Sequence, residues 1–321
     1  MILKPDDVLE RLRALRSRQP VRYWAFYSSQ LGGIVTDPAL MVIVFDDHMV
    51  HRGHGVFDTA ALVEGKIYDL ESHLDRFVRS ARTSKLEIPA REAMRDIIVR
   101  STAASGQRDG SIRYWATSGP GSLGLTPAKG AEPGFFVMVF AGLSYPETWY
   151  TQGLRVMTTT YPIKPPLYAV TKSTNYLPNV LMQMEAQERG LDNGVFVDEA
   201  GHVGESSNMN VAFVTEDGTL KHPTFDHILS GCTSLRLLEL ATALTTRKLL
   251  RDVRVCEIPV AEARAAREMM LFGSSVKVAP VVEWDGKPIG DGTPGPVARA
   301  LRELLEQDMR TARDRLIDVP Y

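Results

Sequence analysis

Hydrophobic and polar positions follow two regular patterns in the first half of the chain. The segments VRYWAFYSS, ALMVIVFDD and GKIYDL are rich in β-branched and aromatic residues and are predicted to be strands. Apolar residues recur at helical spacing through 74–86, which predicts a helix, and a second helix is expected near 90–104. With the strands SIRYWAT and FFVMVFAG, these elements predict a small α+β domain over residues 1–141.

The second half mixes strands and helices without strict alternation. Residues 142–149, which include LSYPETW, are predicted to be a linker, and residues 150–321 the larger domain. A strand GLRVMTTTY precedes a helix with Leu177, Leu181 and Met184 on one face. DEAG and EDG predict hairpin turns, GCT opens another helix, and the strand MMLFGSSV precedes a C-terminal helix. This order favours the α+β class over a doubly wound parallel sheet.

Composition and charge exclude several classes of partner. Hydrophobic residues make up 44% and charged residues 24% of 321, and the net charge of −2 gives no reason to expect nucleic acid or a membrane surface. The start, MILKPDDVLERLRALRSRQ, is a charged amphipathic helix without the apolar core of a signal peptide. Cys232 and Cys256 have no metal-type spacing, so we expect neither a metal site nor a disulfide there, and a cytoplasmic location.

Lys172 lies in TKSTNYLPN, after a loop with two prolines and before a helix. The positive end of a helix disfavours an ammonium charge, and a neutral amine is what a nucleophilic lysine needs. Taken alone, Lys172 is better explained as a surface lysine that fills a loop.

Three other segments carry polar residues in unusual places. Glu205 interrupts the strand VGESSNMNVAFV, where alternation sends Glu205 and Ser207 to one face and Asn208 to the other; a wet edge strand explains this as well as a functional carboxylate. Cys232 and Thr233 open an amphipathic helix, which suits a phosphate or an ordinary N-cap. Ser274 and Ser275 offer a second donor cluster after the strand MMLFG.

The run DDHMVHRGHGVFDT contains three histidines, His48, His51 and His54, and is the best metal candidate in the chain. Three-residue spacing would put them on one side of a helix. The two glycines and the flanking VIVF and VFDT favour an extended backbone, which would scatter them, so no metal is predicted. The loop GPGSLG lacks the lysine and hydroxyl of a nucleotide-binding loop.

Taken in order, six segments resemble the motifs of the fold-type IV pyridoxal phosphate (PLP) enzymes. They are RGHGVFDT, HLDRF, TKSTNYLPN, GHVGESSNMN, ILSGCTS and GSSVKVAPV. This family includes branched-chain and D-amino-acid aminotransferases, (R)-amine transaminases and aminodeoxychorismate lyase. The run DDHMVHRGHGVFDTA is most similar to the plant-type D-amino-acid aminotransferase and aminodeoxychorismate lyase branch.

The resemblance implies a role for each matching residue. Lys172 would bind PLP as an internal aldimine and move a proton between the substrate Cα and C4′ of the cofactor. Glu205 would pair with the pyridinium nitrogen, Leu229 would pack on the ring, and Tyr176 would reach its phenolic oxygen. Ser207 and Asn208 would support the site. The phosphate would be held by Arg76 of HLDRF together with Cys232, Thr233, Ser274 and Ser275.

The resemblance also implies an architecture: a small α+β domain, a larger C-terminal pseudo-barrel, a cofactor cleft between them, and a homodimer whose neighbouring subunit completes the active site. The substrate-binding residues depart from the bacterial D-amino-acid aminotransferases. Val50 occupies the place of a tyrosine, and Gly119–Gly124 replaces the loop that carries their carboxylate-binding arginine and histidine. Arg52 and Arg113 are the two candidates to replace that arginine. A salt bridge between strands or subunits would equally explain Arg113.

The leading hypothesis is transamination from an amino acid to pyruvate or 2-oxoglutarate, with a D-amino acid such as D-alanine or D-glutamate as the favoured donor. A lyase acting on aminodeoxychorismate is the first alternative, and a branched-chain L-amino-acid or (R)-amine transaminase of the same fold is the next. A metal-dependent or non-catalytic protein that uses the histidine run is an alternative from another class.

Overall fold

The computed structural model describes residues 2–321. Within this range, ten helices, α1 to α10, are Pro5–Ser17, His48–Arg52, Leu70–Thr83, Arg91–Ser105, Thr148–Thr151, Pro166–Ala169, Leu177–Glu188, Cys232–Thr246, Val260–Arg264 and Pro296–Thr311. A short 3-10 helix spans Pro38–Leu40.

Sixteen strands of the described chain, β1 to β16, are Tyr23–Ser28, Gly33–Val35, Gly55–Val63, Lys66–Tyr68, Gly110–Thr117, Gly134–Phe140, Leu154–Thr158, Asn193–Val197, Val203–Ser206, Asn210–Val214, Thr219–His222, Asp252–Val255, Glu268–Gly273, Lys277–Trp284, Lys287–Pro288 and Leu316–Asp318. The helices and strands are intermixed along the chain, which confirms the predicted α+β class.

The chain groups into two compact units. The first unit contains Met1–Leu143, Lys172–Thr174 and Ala312–Tyr321, and the second contains Ser144–Thr171 and Asn175–Thr311. The two added segments belong to the first unit because one runs beside β3 and the other supplies β16, which pairs with β4. The domain limits 1–141, 142–149 and 150–321 stay a prediction, and this grouping differs from them at these two segments.

The first unit is built on a seven-stranded antiparallel sheet with the order β16-β4-β3-β5-β6-β1-β2. Side chains alternate between its faces. One face packs against α3 and α4 in a core that includes Leu74, Phe77, Ile98, Tyr114 and Phe135. The helical spacing noted for 74–86 is therefore confirmed as the buried stripe of α3.

The second unit is built on a nine-stranded half-barrel sheet with the order β12-β11-β10-β13-β14-β7-β8-β9, where β15 also pairs with β14. β7 lies parallel to β8 and β14, and β11 lies parallel to β12. The predicted hairpins at DEAG and EDG are confirmed as the turns between β8 and β9 and between β10 and β11. No helix within residues 2–321 is long and apolar enough to cross a membrane.

Two sequence predictions are wrong in detail. ALMVIVFDD is not a strand: it contains the end of the 3-10 helix and irregular backbone, and Phe45 is 82% exposed. VGESSNMNVAFV is two strands, β9 and β10, because residues 207–209 turn the chain. The helix predicted after Lys172 is confirmed as α7, on which Leu177 and Met184 are exposed and the buried residues are Asn179, Met182, Glu185 and Ala186.

Candidate active site

Lys172 is held by backbone hydrogen bonds at the edge of β3. The Phe57 N–H donates to the Lys172 carbonyl at 3.0 Å, and the Thr174 N–H donates to the Gly55 carbonyl at 2.9 Å. The Lys172 N–H donates to Ser80 Oγ of α3 at 3.1 Å. The Lys172 ammonium lies 4.8 Å from the centroid of the Phe57 ring. This short segment thus behaves as an extra strand, which fixes the point from which the side chain starts.

Arg76 is buried beside an acid that the sequence did not single out. Arg76 Nε and Nη2 donate to the two carboxylate oxygens of Asp58 at 2.9 and 2.7 Å, and His73 Nδ1 lies 2.7 Å from the same carboxylate. Burial by itself would raise the pKa of Asp58, but the charges and hydrogen bonds of Arg76 and His73 hold it well below its ordinary range. The bidentate pair orients the guanidinium. Asp58 could have been found as a lone acid inside the apolar strand VFDTAAL.

The two arginine candidates occupy different environments. Arg52 donates from all three guanidinium nitrogens to backbone carbonyls, of Gly124 at 3.1 Å, Leu123 at 2.6 Å and its neighbour His51 at 3.0 Å. These bonds commit Arg52 to holding the loop that contains Gly119–Gly124.

Arg113 lies on β5, where it donates from Nε to Thr59 Oγ1 at 2.9 Å. Its guanidinium carbon is 5.3 Å from the centroid of the Phe57 ring, the same ring that the Lys172 ammonium contacts. Phe57, Thr59 and Arg113 share one face of the sheet because Thr59 pairs with Arg113 and strand side chains alternate. Val50, the third predicted substrate residue, is an exposed residue of α2.

The histidine run folds differently from the prediction. Residues 48–52 form α2 rather than extended backbone, and His54 follows the left-handed Gly53 that ends this helix. His48 Nδ1 lies 3.0 Å from His54 Nδ1, His48 Nε2 contacts the Gly124 carbonyl at 3.3 Å, and His54 Nε2 contacts the Ser84 carbonyl at 2.8 Å. His48 and His54 therefore contact backbone carbonyls, including one of the loop that Arg52 holds, whereas neither ring nitrogen of His51 has a hydrogen-bond partner in the described part of the chain. Across residues 2–321 no group of three or more His, Cys, Asp or Glu residues is arranged to hold a metal ion.

In the second unit, Glu205 is a buried carboxylate at the end of β9, with 8% of its side chain exposed. The Leu229 N–H donates to Glu205 Oε2 at 3.2 Å. Lys164 Nζ lies 4.0 Å from Glu205 Oε1 and 5.2 Å from the centroid of the Tyr176 ring. Glu205, Leu229 and Tyr176, each singled out from the sequence, thus belong to one connected group, and Lys164 is a member that the sequence reasoning missed.

Ser207 and Asn208 lie in the turn between β9 and β10. Ser207 Oγ donates to Gln183 Oε1 of α7 at 3.0 Å, and Asn179 of α7 donates to the Ser207 carbonyl at 2.5 Å. Asn208 is exposed. These bonds tie the turn after Glu205 to α7, so the helix that follows Lys172 in the chain and the Glu205 strand support each other.

A group of hydroxyls lies at the N-terminus of α8. Cys232 is the first residue of α8. Thr233 Oγ1 lies 3.1 Å from Ser274 Oγ, and Ser275 is next in the turn after β13. Gly231 precedes the helix in contact with Asn210: a Cβ at this position would lie 2.1 Å from Asn210 Oδ1. The N–H groups of a helix N-terminus together with two hydroxyls are a donor set that suits a phosphate. The two segments predicted to supply phosphate donors in this unit are therefore adjacent.

Comparison with known proteins agrees with this fold. The amino-transferase class IV family model matches residues 55–284. The chain is 45% identical to the D-amino-acid transaminase, chloroplastic, of Arabidopsis thaliana, over 100% of this chain and 85% of that protein. The branched-chain amino acid aminotransferase of T.th., solved with pyridoxamine 5′-phosphate, has a TM-score of 0.85 at 28% identity, covering 94% of this chain and 100% of that one.

The lyase branch is represented among the similar structures as well. The 4-amino-4-deoxychorismate lyase from Pseudomonas aeruginosa has a TM-score of 0.74 at 25% identity, covering 88% of this chain and 99% of that one. The fold and the matched segment define a PLP enzyme that acts on amino groups. This chain belongs to the class IV aminotransferases, and its cofactor is pyridoxal 5′-phosphate.

Proposed function

We propose that the enzyme is a transaminase that moves the amino group of a D-amino acid, such as D-alanine or D-glutamate, to a keto acid such as pyruvate or 2-oxoglutarate. The observation that carries the proposal is the similarity over the whole chain to a protein named as a D-amino-acid transaminase. The position of Arg113 and Lys172 against one aromatic ring supports it, because it offers a cation for a substrate carboxylate near the reactive amine.

The donor groups of the chain fit the cofactor. Arg76, Thr233 and Ser274 would hold the phosphate, with Cys232 and Ser275 beside them, because guanidinium, hydroxyl and helix N–H groups all donate to its oxygens. Glu205 would keep the pyridine nitrogen protonated, with Leu229 against the ring and Tyr176 at the phenolic oxygen. When bound, PLP supplies an aldehyde that captures amino groups and a ring that withdraws electrons from the carbon bearing them.

Lys172 would act as the acid and base of the reaction. Its amine would take the proton from the substrate Cα and would return it at C4′ of the cofactor. The hydrogen bonds on both sides of Lys172 fix its backbone, so only the side chain would have to move to carry the proton. Ser207 and Asn208 would act through the turn that positions Glu205.

Arg113 is the stronger candidate for the substrate carboxylate. Arg52 already donates to three carbonyls, whereas Arg113 shares the Phe57 ring with Lys172. Removing one partner of a buried charge-assisted pair costs about 2–5 kcal/mol, so Arg113→Gln should lower kcat/KM for D-alanine by roughly 30-fold or more. The matched control is (R)-phenylethylamine, which has no carboxylate. An equal loss with both donors would refute the role of Arg113 as a carboxylate reader.

A half-reaction tests the transaminase proposal itself. Holoenzyme mixed with D-alanine alone should lose the absorbance of the pyridoxal form and gain that of the pyridoxamine form, with one pyruvate released per site. L-leucine and (R)-phenylethylamine are the comparison donors, because they represent the branched-chain and amine specificities. A spectrum that no amine changes, with pyruvate released from aminodeoxychorismate, would favour the lyase, whose fold is shared.

We also propose a homodimer in a reducing compartment such as the cytoplasm. α7 exposes Leu177, Val180 and Met184 at spacings of three and four, so these apolar side chains form one stripe that a second copy would cover.

Neither Cys232 nor Cys256 forms a disulfide, which suits the proposed reducing compartment. The Arabidopsis relative is named as chloroplastic.

A further inference from the structure

Lys164 is a buried lysine in contact with two of the residues expected to bind the cofactor ring. Its side chain is 10% exposed, and its ammonium lies 4.0 Å from Glu205 Oε1 and 5.2 Å from the centroid of the Tyr176 ring. A lysine is seldom buried to this extent unless it is paired. The contacts with Glu205 and Tyr176 therefore indicate that Lys164 has a role in the site.

The segment that carries Lys164 is fixed by a second buried carboxylate, Glu185 of α7. Thr159 Oγ1 donates to Glu185 Oε2 at 2.6 Å, and the N–H and hydroxyl of Thr160 donate to the same carboxylate at 3.1 and 2.8 Å. The stretch after β7 is thus anchored to the helix that follows Tyr176. These bonds anchor the chain shortly before Lys164, whose ammonium lies 4.0 Å from Glu205 Oε1.

A buried carboxylate without a counter-ion is costly, and the cofactor changes which counter-ion Glu205 has. Without cofactor, the Lys164 ammonium is the cation beside Glu205 Oε1. With cofactor, a protonated pyridine nitrogen would be a second cation drawn to the same carboxylate. Two cations that share one anion repel each other, so each weakens the hold of the other.

We propose that Lys164 and the cofactor ring exchange as counter-ions of Glu205, which makes Lys164 a positioning residue that keeps the cofactor-free site formed and limits the affinity for the cofactor. The face of the Tyr176 ring gives the ammonium a second place to rest once the ring nitrogen holds the carboxylate. This inference rests on the proposed role of Glu205 as the partner of the ring nitrogen.

The test is the affinity of cofactor-free protein for pyridoxamine 5′-phosphate, which binds without a covalent bond to Lys172. In Lys164→Met the competing cation is gone, so binding should become about fivefold tighter or more, the usual lower size of coupling between two linked sites. The melting temperature of the cofactor-free variant should fall more than that of the loaded variant. Lys164→Arg keeps the charge and should bind as the wild type does.

Lys221→Met is the matched control, because it removes a lysine from a pair with Glu262 elsewhere in the same unit. It should leave the affinity unchanged. Where cofactor-free Lys164→Met does not stay folded, the dissociation rate of pyridoxamine 5′-phosphate from loaded protein gives the same answer, and it should be slower. Unchanged or weaker binding by Lys164→Met would overturn the exchange.

Glu205→Gln separates failure of this inference from failure of the role of Glu205. If Glu205 meets the ring nitrogen, Glu205→Gln binds pyridoxamine 5′-phosphate more weakly, and Lys164→Met added to it brings no gain. If Glu205→Gln binds normally, the proposed role of Glu205 fails. If it binds weakly while Lys164→Met does not tighten binding, only the exchange fails.

Discussion

Replacing Asp58 by asparagine removes one charge from a buried ion pair while keeping the size of the side chain. Asp58 has no exposed surface, Arg76 is 4% exposed, and two guanidinium nitrogens bind the carboxylate. The variant leaves Arg76 buried without this counter-ion, a change that costs about 3–5 kcal/mol. At about 2 °C per kcal/mol for a chain of this size, the melting temperature should fall by roughly 6–10 °C.

The assay is urea unfolding of the cofactor-free protein at pH 7. The control is Asp96→Asn, which breaks an exposed pair with Arg100 and should change stability by about 0.5 kcal/mol or less. A free energy of unfolding for Asp58→Asn within about 1 kcal/mol of the wild-type value would refute the argument, because the buried pair would then contribute no more than a surface pair does.

The stability difference between the wild type and Asp58→Asn should also depend on pH. The folded pKa of Asp58 lies well below its ordinary value, so its stabilising contribution is present above the unfolded pKa of about 3.9 and is lost as the pH falls below it. The advantage of the wild type over Asp58→Asn should therefore shrink below about pH 4. Inorganic phosphate should return part of the lost stability, since it offers Arg76 another anion.

Two further predictions concern stability and assembly. Burial lowers the pKa of His222 to about 4, although the bond between its ring and the Pro223 carbonyl opposes this shift. The stabilising effect of the neutral ring is therefore complete above about pH 6.5 and is lost as the pH falls toward 4. His222→Phe should remove this pH-dependent loss, up to about 3 kcal/mol of the free energy of unfolding, in urea unfolding at pH 7.5, 5.5 and 4.5, and an unchanged pH dependence would contradict the assignment. Val180→Asp places a charge in the apolar stripe of α7 and should yield monomers in sedimentation. Gln307→Asp, at an exposed position of α10, is the control and should stay dimeric. A dimeric Val180→Asp protein would exclude this stripe as the interface.

Local sequence patterns identified most elements of the fold but not their partners. The apolar spacing of α3 was read correctly because that helix has one buried face against its own sheet. The same reasoning found α7, but the buried side of that helix carries Asn179 and Glu185 while Leu177 and Val180 are exposed. An apolar stripe predicts that a surface will be covered, but it does not say whether the same chain covers it. The strand prediction for ALMVIVFDD was wrong, because Val42, Val44 and Phe45 form no strand and stay exposed.

The candidate site shows a similar division between single residues and pairs. Lys172, Glu205 and Thr233 stand out in a sequence because each is a polar residue in a motif with family resemblance. Asp58 and Lys164 gain their meaning from residues 18 and 41 positions away, Arg76 and Glu205, which no local pattern connects. Counter-ions of buried charges are therefore the part of such a site that sequence reasoning misses most readily, because a buried charge requires a partner but does not specify where in the chain it lies.

Arg52 and Arg113 illustrate how the structure separates candidates that the sequence leaves equal. Both are arginines near a motif, and either could replace the missing carboxylate-binding loop. Arg52 donates to the carbonyls of Leu123 and Gly124, so it stabilises the loop that contains Gly119–Gly124. Arg113 lies against Phe57, as Lys172 does. The donor inventory of a guanidinium is limited to five N–H groups. Arg52, whose three nitrogens already donate to backbone carbonyls, is therefore a weaker candidate to bind a carboxylate than Arg113, which lies near the same aromatic ring as Lys172.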